Sequence, residues 1–199
     1  GNIYKYGELI MPGYELIGKE ERNAVNEIFD AKSRFDNGER VKKFERQFAD
    51  YIGVDYAVAV SSGTAAIKTA LIAVGVKPGD EVITQAFTFI ATVNAIVDAG
   101  AVPIIVNVDD TLNMDPIGFE EAITAKTKAV IPVDMLGVAC EVNQINAIAN
   151  AHNLVVIDDC CEALGADWQN EKLGSQFDMS AFSFDGGKTI TTGEGGMVT

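Results

Sequence analysis

From Tyr56 onward the chain alternates short, almost wholly apolar runs with amphipathic stretches several turns long. Runs of that kind have no polar face to turn toward water. They belong in strands buried on both sides, and such strands occur in parallel sheets covered by crossover helices. The pattern predicts strands at residues 57–60, 81–84, 102–106, 129–133 and 154–158, and a further apolar run spans 179–184. Helices are predicted between them, at about 64–74, 88–98, 116–123 and 142–152. An α/β fold with a mostly parallel sheet, covered on both faces, is the expected outcome.

The first third reads differently. Residues 1–18 mix aromatics and prolines without periodicity and read as an arm that packs on something else, such as a partner subunit. Residues 19–32 place Val25, Ile28 and Phe29 at helical spacing among charges, and 41–52 repeat the pattern with Phe44, Phe48, Tyr51 and Ile52. Asp36, Asn37 and Gly38 form a turn cluster between these two helices. The 199 residues suit one good-sized domain. The chain stops at Gly196, Met197, Val198 and Thr199, a segment that reads as the start of a strand.

Charge and cysteine usage exclude some classes of function. The formal net charge is −14, whereas a groove that tracks phosphates needs clustered Lys and Arg; nucleic acid and anionic membranes are not expected partners. Cys140, Cys160 and Cys161 are odd in number and lack paired metal-type spacing, so reduced thiols are expected and no metal site is. No apolar run approaches the length of a membrane span, and the N-terminus has neither a basic nor an apolar leader region. A cytoplasmic protein is expected.

In an open α/β sheet, ligands bind beyond the carboxyl ends of the strands, so the residues following each strand carry the functional information. After the first predicted strand comes SSGTAA (61–66), small and hydroxyl residues at a helix start. That is either an anion site built from free N–H groups or an ordinary N-cap. After 81–84 come Phe87 and Phe89, available to stack on a planar ring or to fill core. Asp134 follows 129–133. Asp158 closes 154–158, and Asp159, Cys160, Cys161 and Glu162 come next; adjacent carboxylates at the end of a buried strand need donors or a cation. After 179–184 comes Lys188, set among Gly186, Gly187, Gly193 and three threonines. Glycines at this density let the backbone turn sharply and approach a ligand, and a lysine held off water offers a neutral, nucleophilic amine.

Together these parts fit one cofactor, pyridoxal 5′-phosphate (PLP). It requires a lysine for a Schiff base, a carboxylate at the pyridinium nitrogen, a phosphate cradle and a stacking partner. The chain offers Lys188, Asp159, Ser62, Gly63, Thr64 and Ala65 with Ser183, and Phe89.

The sequence also resembles the DegT/DnrJ/EryC1/StrS sugar aminotransferases, which have the aspartate-aminotransferase (type I) PLP fold. The matching text is SSGTAA (61–66), GDEVIT with FTFIAT (79–92), DAGAVPIIVNVD (98–109), VVIDD with ALGA (155–166) and SAFSFDGGKTITTGEGGM (180–197). The resemblance runs from about Met11 to the last residue. MPGYEL and SFDGGKTIT are closest in flavour to transaminases of amino-octulosonate or nucleotide-linked keto-sugars. It implies a three-layer αβα large domain over 19–199, incomplete at its C-terminal end, with the smaller C-terminal domain absent from this chain. It also implies roles. Lys188 would hold the cofactor and shuttle a proton; Asp159 would pair with the pyridinium nitrogen; Gly63, Thr64 and Ser183 would hold the phosphate; Phe89 would stack on the ring. An amino acid, glutamate by expectation, would be the donor and a keto-sugar the acceptor, in a homodimer whose subunits share the active site.

Three positions depart from the family pattern. Glu162, near the cofactor's phenolic oxygen, stands where Gln or His is common, and Asp134 where His is common. Two added carboxylates beside an anionic cofactor disfavour one another's charged forms, so Glu162 is expected to be protonated or paired in the holoenzyme. Gln85 replaces a frequent proline. Two other readings remain open: a sugar dehydratase of the same fold, in which a histidine typically replaces the lysine, and a non-catalytic binding or regulatory module. A Rossmann dinucleotide site is not expected, because no G-x-G-x-x-G follows the first strand.

Overall fold

A computed structural model describes residues 13–31 and 38–199 of the chain. The expected arm therefore lies largely outside the described residues, as do Asp36 and Asn37 of the turn cluster. Of the arm, a single 3-10 turn, Gly13–Leu16, is described.

Six α-helices and nine strands follow among the described residues. Helices α1 (Lys19–Asp30) and α2 (Glu39–Ile52) precede strand β1 (Val58–Val60) and helix α3 (Gly63–Ala73). Then come β2 (Glu81–Gln85), α4 (Ile90–Asp98), β3 (Val102–Val106), α5 (Pro116–Glu121), β4 (Thr127–Ile131), α6 (Val142–His152) and β5 (Val155–Asp159). A two-residue hairpin, β6 (Asp167–Trp168) with β7 (Glu171–Lys172), leads to β8 (Met179–Ser183) and β9 (Gly196–Val198).

Seven strands form one sheet in the order β1-β9-β8-β5-β4-β2-β3. The interior is parallel, as the apolar runs predict. The closing GMV segment is indeed a strand, but it enters antiparallel between β1 and β8. Two predicted boundaries shift with consequences. The strand expected at 129–133 is Thr127–Ile131, and the strand expected at 154–158 runs one residue further, so Asp159 is its last member.

The period of two along each strand divides the core between two faces. Val82, Ala129, Ile131, Ile157, Ala181 and Val198 pack with Ala66, Ala70 and Leu71 of α3 and Ala95 and Ile96 of α4. Their neighbours Ile83, Val130 and Val156 pack instead with Phe119 of α5 and Val142, Ile145 and Ala149 of α6. Phe182 and Met197 meet Phe48 and Ile52 of α2. This is the three-layer αβα arrangement. Helix α1 forms as its spacing predicts, yet it buries none of its residues. No helix among the described residues is long and apolar enough to cross a membrane.

Candidate active site

The strand period also separates the two adjacent aspartates. Ile157 faces α3 and α4, so Asp158 faces the other layer and Asp159 returns to the first. Asp159 is almost fully buried and is well supplied with donors. The Thr92 hydroxyl, on α4, donates to its Oδ2 at 2.7 Å, and the Cys161 N–H donates to its Oδ1 at 3.1 Å. Thr88 and Thr92 are joined by their hydroxyls at 2.8 Å, which extends the chain of polar groups.

Ser183 ends β8 on the same face as Ala181, and so beside the start of α3. Ser62 caps that helix: its Oγ accepts from the Ala65 N–H at 3.1 Å. Gly63 follows, packed so closely that a Cβ there would lie 2.8 Å from Cys161 Sγ and 2.9 Å from Ser183 Cβ. Only glycine permits this approach of the helix start to β5 and β8. The first N–H groups of α3 have no carbonyl one turn back to bind, and with the helix dipole they form an anion-binding end.

These groups line one cavity of about 340 Å³ at the carboxyl ends of the strands. Ser62, Gly63, Thr64, Phe89, Asp159, Glu162, Ser183 and Lys188 all border it. Of the residues singled out from sequence, Ala65 does not: its N–H is consumed by the Ser62 cap. Phe89 borders the cavity with 67% of its surface exposed, as the residue preceding α4, whereas Phe87 is not part of the lining.

The desolvation expected of Lys188 is partial. Its side chain remains 24% exposed, and its ammonium lies 3.7 Å from Glu162 Oε1. Glu162 is thus paired within the chain. Its other oxygen accepts from the Leu136 N–H at 3.3 Å. A second cavity, of about 280 Å³, shares this ion pair and is also lined by Leu136, Leu164 and Thr189.

Asp134 is placed differently from the expectation of a carboxylate near the cofactor. It is fully buried and not part of the lining. Its Oδ1 accepts from the Cys140 N–H at 2.9 Å, and the Cys160 thiol donates to Asp158 at 3.1 Å. Burial pushes Asp134 up to about 6. Burial first, then the charge of Asp134, pushes Asp158 well above the ordinary carboxylate range, and one of its oxygens has no hydrogen-bond partner. Burial likewise raises the thiols of Cys140 and Cys160. Ligand atoms of Asp134, Cys140 and Asp158 lie within 4.8 Å of one another, a proximity that cysteine spacing in the sequence did not disclose.

Gln85 has a structural task. Its amide nitrogen donates to the carbonyls of Phe87 (2.9 Å) and Leu112 (3.2 Å), and its oxygen accepts from the Val133 N–H (3.0 Å). It staples the segments at Phe87, Leu112 and Val133 to one another. Sequence reasoning missed Thr92, Cys161, Asp185 and Glu194, which also line the cavity. Asp185 and Glu194 flank the glycine-rich loop and were open to inspection there; Thr92 gives no local signal, because its partner is in another strand–helix unit.

Comparison with known proteins completes the description. Residues 15–199 match the model of the DegT/DnrJ/EryC1/StrS aminotransferase family. The chain is 45% identical over 180 residues to GDP-perosamine synthase of Caulobacter vibrioides, covering 90% of this chain and 48% of that protein. It is 44% identical over 198 residues to the spore coat polysaccharide biosynthesis protein SpsC of Bacillus subtilis, covering 99% and 51%. Among solved structures, the PLP-form of Spr1654 from Streptococcus pneumoniae superposes with a TM-score of 0.85 at 32% identity, covering 98% of this chain and 53% of that one. The chain thus spans about half the length of the curated relatives it matches.

Proposed function

This chain belongs to the DegT/DnrJ/EryC1/StrS aminotransferase family, and on that footing we propose that the whole protein is a PLP-dependent aminotransferase. It passes an amino group from an amino acid, glutamate by expectation, to a keto-sugar or nucleotide-linked keto-sugar. The products serve cell-surface polysaccharide or secondary-metabolite sugar synthesis. We assign it to the cytoplasm and to a homodimer with a shared site; the exposed apolar side chains of Phe89 and Leu136 at the cavities support a second copy there.

The observation that carries this reading is convergence. A lysine, a buried carboxylate rich in donors, a helix start and an aromatic ring, drawn from four separate strand ends, border one cavity. A phosphate cradle is supported by the close approach of the α3 start to Ser183, which the missing Cβ at Gly63 permits. A volume of about 340 Å³ lies within the range of small-ligand sites.

Bound there, the cofactor supplies an electron sink for the substrate's Cα. The residues divide the remaining work. Ser62, Gly63, Thr64 and Ser183 bind the phosphate with N–H and hydroxyl donors. Asp159, held by Thr92 and Cys161, keeps a proton on a ring nitrogen by offering a fixed negative charge. Phe89 covers a ring face and excludes water. Lys188 holds the cofactor through its amine and, once released, carries a proton at that nitrogen. Glu162 keeps the amine oriented toward the cavity before the cofactor arrives.

The test is amine transfer by the whole protein supplied with PLP, glutamate and a panel of nucleotide-linked keto-sugars. One sugar is expected to exchange its carbonyl oxygen for an amine while an equal amount of 2-oxoglutarate forms. A sugar that loses a hydroxyl instead would identify a dehydratase. Neither turnover nor cofactor uptake would leave a binding module.

A further inference from the structure

The loop carrying Lys188 is held from an unexpected direction. Its base is closed locally: the Thr192 N–H and the Thr191 hydroxyl both donate to the Phe184 carbonyl at 3.0 Å, and the Gly187 N–H donates to Asp185 Oδ2 at 3.0 Å. The Lys188 N–H donates to the Asp185 carbonyl at 3.0 Å. The Lys188 carbonyl, on the far side of the same residue, accepts from the N–H of Gly13 at 3.0 Å. Both peptide groups that flank the Lys188 Cα are therefore fixed, one by the loop itself and one by the N-terminal turn.

Gly13 is buried, although Tyr14, Glu15 and Leu16 beside it are exposed. A Cβ at this position would fall 2.7 Å from the carbonyl oxygen of Thr189 and 2.8 Å from that of Lys188. Both are backbone atoms, so no side-chain rotation relieves the contact; either the turn or the loop must move. Glycine is needed here for close approach rather than for an unusual φ.

We propose that Gly13 is a positioning residue for the amine of Lys188: the N-terminal turn clamps the lysine's carbonyl and so aims its side chain across the cavity toward Glu162. The proposal rests on the aminotransferase reading only for the task given to that amine. With the backbone fixed on both sides, the direction of the Cα–Cβ bond is set, and only the side-chain torsions remain to be ordered. Misplacing a reacting group by about 1 Å can cost about a hundredfold in rate.

The experiment compares the whole protein with its Gly13→Ala and Tyr14→Ala variants. Hydrogen exchange is followed in the cofactor-free proteins, and the rate and pH midpoint of the visible band are recorded after PLP is added. Gly13→Ala is expected to speed exchange selectively in residues 186–190, to slow formation of the band by about tenfold or more and to shift its pH midpoint. Tyr14→Ala should behave as wild type. Exchange and capture rates in Gly13→Ala within about twofold of wild type would overturn the proposal. So would exchange that rises evenly through the whole domain, since that marks general packing. If wild type forms no band while the loop still loosens in Gly13→Ala, the contact stands and the aminotransferase reading is what fails.

Discussion

Thr92 supplies Asp159 with its shortest hydrogen bond, and it does so from a helix rather than from a neighbouring strand. A buried carboxylate is tolerated only while its donors are present, so Thr92→Val should weaken PLP binding without touching the cofactor's phosphate cradle. Loss of one buried, charge-assisted bond costs about 1–3 kcal/mol. Titration of the whole protein with PLP should show affinity reduced by about tenfold to a hundredfold. Unchanged affinity would mean that Asp159 does not depend on this donor. Sequence made Lys188, Asp159 and Ser62 legible because each follows a recognisable strand at a place where ligands gather. Thr92 was not legible, since nothing in FTFIAT indicates that its sixth residue meets a strand so far along the chain. Glu162 illustrates the intermediate case. Its unusual charge was visible, while its partner was not.

At the scale of elements, the end of β5 is where two environments meet. Asp159 faces the cavity and Asp158 the closed cluster with Asp134, Cys140 and Cys160, a separation that follows from the strand's period of two. Asp134, pushed up to about 6 by burial, binds its proton more tightly in the folded chain than in the unfolded one. Its contribution to stability is therefore fully present below the ordinary carboxylate value, declines as pH rises through about 6, and stays low above it. Asp134→Asn keeps an oxygen for the Cys140 N–H and removes the ionisation. Relative to wild type, the cofactor-free variant should gain about 1–3 kcal/mol between pH 4 and pH 7.5 in denaturant unfolding. A difference independent of pH would contradict the assignment. The parallel interior was legible because continuous apolar runs have few alternatives. The antiparallel entry of β9 was not, because its place is decided jointly by β8, the strand just before it, and by β1, which lies far from it in sequence. The β6–β7 hairpin escaped notice for another reason. Its turn, Gln169 and Asn170, has positive φ at both residues without a glycine to announce it.

For the whole molecule, the family resemblance supplied expectations that periodicity could not: sugar substrates, a shared dimer site and a further domain. Periodicity and strand-end chemistry led independently to the same cavity. Phe89, at 67%, and helix α1 remain exposed. Capture of PLP by Lys188, in the cavity it borders with Asp159, is the step on which the proposed function depends. The visible spectrum of the purified whole protein and of its Lys188→Ala variant, each mixed with PLP, reports it. A yellow band is expected in wild type that bleaches on addition of glutamate and is missing in the variant. Two colourless proteins, or equal bands in both, would contradict it.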